Sequence, residues 1–70
     1  MPRKLRELRA ELRRAGFTIA RVAGSHETWR HPNGQRVVLA GADGADAQRY
    51  QEQEIRREIA AAQAQGEDKA

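Results

Sequence analysis

Phe17-Thr18-Ile19-Ala20-Arg21-Val22-Ala23-Gly24-Ser25-His26-Glu27-Thr28-Trp29-Arg30-His31-Pro32-Asn33-Gly34-Gln35-Arg36-Val37-Val38-Leu39-Ala40 divides into three short alternating runs separated by two turns. Residues 17–22 are rich in β-branched and aromatic side chains, with Phe17 and Ile19 to one side and Thr18 and Ala20 to the other. Ala23-Gly24-Ser25 forms a turn. From His26 to His31 the alternation resumes. His26, Thr28 and Arg30 share one face, and Glu27, Trp29 and His31 share the other. Pro32-Asn33-Gly34-Gln35 is a hairpin signal, because Asn-Gly supplies the positive φ values a tight turn needs. Residues 36–40 make a third strand. Short turns join antiparallel neighbours, so this stretch predicts a three-stranded meander.

The flanks supply the cover for that sheet. Residues 2–15 read as an amphipathic helix, with Leu5, Leu8 and Leu12 on one stripe. Pro2 suits its first turn, and Gly16 suits the left-handed residue that ends it. Residues 41–46, Gly-Ala-Asp-Gly-Ala-Asp, read as a flexible loop, with Asp46 placed to cap a second helix over about residues 47–63. Its stripe is thin: Ala47, Gln51, Ile55, Ile59 and Ala62, with Tyr50 at the edge. Residues 64–70 are expected to fray. The order α-β-β-β-α predicts a single α+β domain over residues 1–63, with both helices on one face of the sheet. The predicted core is Leu5, Leu8, Leu12, Phe17, Ile19, Trp29, Val37, Leu39, Ile55 and Ile59.

Seventy residues can bury only about 60% of the unfolded surface, so stability belongs near the low end of about 5–15 kcal/mol. A face left incomplete in so small a domain predicts a partner helix or a second copy over part of it. The absence of cysteine removes disulfides and thiolate metal sites and fits a cytoplasmic protein. No apolar run approaches the ~20 residues of a membrane span, and no secretory signal opens the chain. The net charge of +3 is unevenly distributed. Residues 1–40 carry nine Lys/Arg against three acids, and residues 41–70 carry four against seven. The basic first part points to a polyanionic partner such as nucleic acid.

Within that basic part, His26 stands beside a glycine turn on the open face of the sheet. Imidazole has an unperturbed pKa near 6.5, so both of its protonation states are available to acid–base chemistry at neutral pH. On a phosphodiester it would take the proton of a 2′-hydroxyl or give one to the leaving 5′-oxygen. Arg21, Arg30 and Arg36 are the candidates to hold the phosphate. The spacing equally fits a histidine that only caps the turn. His26 and His31 point to opposite faces and cannot share an ion, so no metal or cofactor is expected. Trp29 reads as core and His31 as a strand end.

The series Gly16-Phe17-Thr18-Ile19-Ala20-Arg21, Gly24-Ser25-His26, Trp29 and Arg30-His31-Pro32-Asn33-Gly34 resembles the HicA-type mRNA interferase toxins of bacterial toxin–antitoxin systems. The resemblance covers about residues 3–40. It implies a fold like double-stranded RNA-binding domains and a metal-independent endoribonuclease that cuts mRNA through His26. It also implies a HicB-like antitoxin that masks His26. The expected assembly is a homodimer or a toxin–antitoxin hetero-oligomer. Arg21, Ser25, Arg30 and Arg36 form the predicted RNA-contacting set. In that family the third strand is followed by a basic loop containing Pro and His, whereas here residues 41–46 are small and acidic. Two other readings are a non-catalytic RNA-binding module of the same fold and a protein-interaction subunit whose acidic second helix binds a partner.

Overall fold

A computed structural model describes residues 3–68. Its elements are α1 (Leu5–Arg14), β1 (Thr18–Ala23), β2 (His26–Arg30), β3 (Arg36–Ala40) and α2 (Arg49–Asp68). The strands form one antiparallel sheet in the order β1-β2-β3, and the helices lie on one of its faces. This is the predicted α-β-β-β-α architecture. Pro2 and residues 69–70 lie outside the described residues.

α1 begins later than the sequence suggests. Lys4 is its N-cap, and the Lys4 backbone N–H donates to the Glu7 carboxylate at 2.7 Å. The first free helical N–H groups are satisfied by the 41–46 segment, with Leu5 N donating to Ala45 O and Arg6 N to Asp43 O. At the other end, Phe17 N donates to Leu12 O and Gly16 N to Arg13 O. That pair of bonds is a Schellman termination, and Gly16 takes the positive φ it needs, 98°. The chain is thereby turned so that Phe17, 1% exposed, lands under the helix it has just left.

The second hairpin differs from the expected turn. His31 O accepts from Gly34 N, and His31 N donates to Gln35 O. Only Gly34 has positive φ there, while Asn33 does not. This is a three-residue loop with Pro32 leading and glycine in the bulge position, not a two-residue Asn-Gly turn. Asn33 is left to donate from Nδ2 to Ala62 O at 3.0 Å, which ties the hairpin to α2.

α2 also departs from its predicted bounds. Asp46 does not cap it, because its carboxylate is held by Lys4 Nζ at 2.5 Å. Ala47 N donates instead to Arg3 O, keeping this part of the chain extended. The helix starts at Arg49, with Gln48 N donating to the Gln51 side chain. It runs to Asp68 rather than ending near residue 63; alanines 60–62 and 64 favour helix where no apolar stripe is required. The thin stripe is nonetheless the buried one. Ala47, Gln51, Ile55 and Ala62 are buried, Ile59 is half-buried, and Tyr50 is 64% exposed.

The core comprises Leu5, Leu8, Leu12, Phe17, Trp29, Val37, Leu39, Ala47, Ile55 and Ala62. Of the predicted set, Ile59 is half-buried and packs against this core, and Ile19 is exposed, at 41%. It pairs with Trp29 across the sheet, so it does face the helix layer. That layer covers β2 and β3, however, and every residue of the edge strand β1 is exposed. A bulge at Ala20 then places Val22, opposite Glu27, on the same side as Ile19.

Candidate nucleic-acid interface

The sheet sorts the chemistry of the central stretch. Cross-strand pairs share a face, so His26, Thr28 and Arg30 lie with Ala40, Val38 and Arg36 of β3 on the side away from the helices. β1 adds Thr18, Arg21 and Ala23 to that side through its pairs with Arg30, Thr28 and His26. His26, Arg21, Arg30 and Arg36 are exposed. No acidic residue of any strand points this way. Glu27, the one carboxylate in the three strands, is on the helix side. None of the three arginines forms an ion pair within the described residues.

The predicted site residues fall into two groups along this face. Gly24-Ser25 links Ala23 to His26 as a two-residue turn, so Ser25 is adjacent to the imidazole and exposed. Arg21 is the diagonal cross-strand neighbour of His26, at the ~7–8 Å spacing that a long side chain spans. Arg30 and Arg36 face each other directly at the far end of the strands. Arg30 lies four positions from His26, about 13 Å along β2. Arg21 is therefore the cation nearest the imidazole, and Arg30 with Arg36 is a second cationic point. Like charges directly opposite repel each other, and an anion laid between them relieves that cost.

His31 is placed elsewhere and is fully engaged. Its ring tilts on Phe17 at 5.0 Å between centroids. Nδ1 accepts from Asn33 N at 3.0 Å, which assigns the proton to Nε2, and Nε2 donates to Ala15 O at 3.2 Å. The histidine closes the end of α1 against the hairpin. Trp29 is 0% exposed, with the Arg13 guanidinium 5.2 Å above its ring, so it is core and no stacking platform.

Behind the site lies a cluster that the sequence reading missed. Arg9 is 5% exposed. Its Nε donates to Glu27 Oε1 at 2.9 Å, Nη1 to Asp43 Oδ1 at 2.5 Å, and Nη2 to the Gly41 carbonyl at 2.6 Å. Trp29 Nε1 donates to the same Glu27 oxygen. Burial by itself lowers the guanidinium pKa, but the bonds and charge of Glu27, then of Asp43, outweigh it and hold the value above the ordinary arginine range. His26 and Ala40 are cross-strand partners, and Arg9 grips the residue after one and the residue after the other. The acidic loop thus has an internal use: Asp43 pairs with Arg9 and Asp46 with Lys4. A signal was present in the sequence, since Arg9 occupies the i+4 place of the stripe begun by Leu5 and Leu8.

A surface groove of about 230 Å³ between α1 and α2, lined by Glu11, Arg14, Ala15, Ile59 and Gln63, lies on the helix layer, across the sheet from His26. Among the described residues no helix is long and apolar enough to cross a membrane. No curated protein matches the chain. A family model, HicA toxin of bacterial toxin–antitoxin, matches residues 5–64, which include α1, the whole sheet, the cationic face and all but the last four residues of α2. The chain belongs to the HicA toxin family of bacterial toxin–antitoxin systems.

Proposed function

We propose that this toxin is an endoribonuclease that cuts mRNA in the cytoplasm, with His26 as its general acid or base. The observation that supports this reading is the exposed imidazole on a sheet face whose only charges are arginines. Arg21 holds the scissile phosphate beside His26. Arg30 and Arg36 hold a more distant phosphate of the same strand, and Ser25 offers a hydroxyl at the turn. As base, His26 takes the 2′-hydroxyl proton while the 2′-oxygen attacks phosphorus and the bond to the 5′-oxygen breaks. As acid, it protonates that departing 5′-oxygen. Water serves the opposite proton transfer. Proton transfer by imidazole and charge neutralisation by guanidinium supply both needs of this route without a metal.

An antitoxin partner follows from the family. We assign it the HicB type and a seat that masks His26 in a toxin–antitoxin hetero-oligomer. The test is cleavage of a defined mRNA by purified wild type and His26→Ala, with chelator present. Loss of about 10²–10⁴ in rate is the expected outcome for removal of a general acid–base. Equal rates for the two proteins overturn the catalytic assignment. Salt-sensitive binding with no cut product makes the chain a non-catalytic RNA-binding module.

A further inference from the structure

β1 pairs only with β2, so among the described residues its other edge presents unpaired backbone groups. Its two largest aliphatic side chains, Ile19 and Val22, are 41% and 60% exposed. The bulge at Ala20 brings both onto the helix side, just beyond the reach of the helix layer. On the opposite side the same strand presents Arg21, next to His26. The edge therefore has an aliphatic flank and a cationic flank, with an open row of hydrogen-bonding groups between them.

We infer that this edge is the seat of an extended segment of the antitoxin. The segment adds a fourth strand to the sheet, with aliphatic side chains over Ile19 and Val22 and carboxylates over Arg21 and His26. Strand addition draws affinity from main-chain bonds and specificity from alternate side chains. Charge decides the occupant. The open face carries cations and no acid, so an acidic flank is the complementary one. A second copy of this chain fits poorly. Setting Ile19 against Val22 of the copy places the two-fold between Ala20 and Arg21, at the bulge. It also brings the two Arg21 side chains together on one face. Six residues of edge are, besides, a small area for a stable dimer. The inference deepens the partner assignment made above and rests on the chain being an antitoxin-regulated toxin. It also gives the regulation a route, since carboxylates over Arg21 occupy the place of the scissile phosphate.

The test is amide hydrogen exchange on the full chain, alone and in complex with its antitoxin, together with Val22→Asp. Val22 lies on the side of the sheet opposite His26, Arg21, Arg30 and Arg36, and its exposure lets the variant fold. The expected result is exchange at least about tenfold slower for the outward amides of residues 18–23 in the complex. Val22→Asp is expected to weaken antitoxin binding at least about tenfold while RNA cleavage stays within about twofold of wild type. Protection confined to the helices, or unchanged binding by Val22→Asp, overturns the inference. Concentration-dependent protection of β1 in the chain alone overturns it in favour of a second copy. A wild type that cuts no RNA defeats the nuclease reading alone, because exchange at β1 still reports the seat.

Discussion

Replacing Arg9 by methionine keeps an unbranched side chain in the same slot and removes only the guanidinium. Three acceptors then lose the bond that Arg9 donates: the Glu27 carboxylate, the Asp43 carboxylate and the Gly41 carbonyl. Breaking a buried ion pair by removing one partner costs about 3–5 kcal/mol, because the other charge is stranded. The Glu27 side chain is 22% exposed and keeps the Trp29 N–H, so its share belongs at the low end of that range. Asp43 is 70% exposed and returns to water at a cost of about 0–1 kcal/mol. The methionine regains some apolar contact. The net expectation is about 3 kcal/mol, a third or more of the stability of a chain this size. A midpoint drop of roughly 12–24 °C follows at about 4–8 °C per kcal/mol. Thermal and urea unfolding followed by circular dichroism measure it. Asp43→Asn is expected to cost under about 1 kcal/mol, and Glu27→Gln to recover part of the loss when combined with Arg9→Met. A cost of Arg9→Met below about 0.5 kcal/mol, or an Asp43→Asn cost equal to it, refutes the assignment of Glu27 as the main partner.

The pH dependence of the same residue has a fixed sign. A folded-state pKa raised above the unfolded one stabilises fully below the unfolded value and is lost only as pH climbs through the folded one. Guanidinium deprotonation therefore adds nothing to the difference between wild type and Arg9→Met over about pH 6–10, and a fall of that difference on approaching pH 10 would contradict the shift. Gly16→Ala places a Cβ 3.1 Å from His31 Nε2 at φ 98°, and is expected to cost about 1–2 kcal/mol in the same unfolding assays. Its failure to destabilise would dissolve the link drawn between the α1 terminus and His31. Arg36→Gln is expected to weaken RNA binding uniformly across sequences and to lower the salt slope by about 0.7, while protein stability stays level or rises a few tenths of a kcal/mol as Arg30 loses its like-charged neighbour. Binding titrations over a salt series decide it, and an unchanged slope removes Arg36 from the interface.

Local pattern carried most of the fold. The Leu5-Leu8-Leu12 stripe, the Gly16 termination and the alternation around Trp29 each act over one or two turns of chain, and each is where it was expected. Ile19 shows the limit of alternation: period two says which side a residue faces but not whether a helix reaches the edge strand. Arg9 shows another limit. Its partners Glu27 and Asp43 are 18 and 34 residues away, and no spacing rule spans that distance. The loop at 41–46 reads from composition only as small and acidic, and the pairing of Asp43 with Arg9 and of Asp46 with Lys4 needs the folded chain. Within the candidate site, alternation was enough to gather His26 with Arg30 and Arg36 on one face. Only the register showed that Arg21, not either of those, is the cation beside the imidazole.

The single tryptophan has a consequence for how this molecule can be watched. Trp29 is sealed beneath Arg13 on the helix side, with the thickness of the sheet between its indole and the face that carries His26. Its emission is a gauge of helix–sheet packing and is blind to a strand of RNA lying on the far face. A spectral change on adding RNA would therefore mean that the sheet had bent or the helices had lifted.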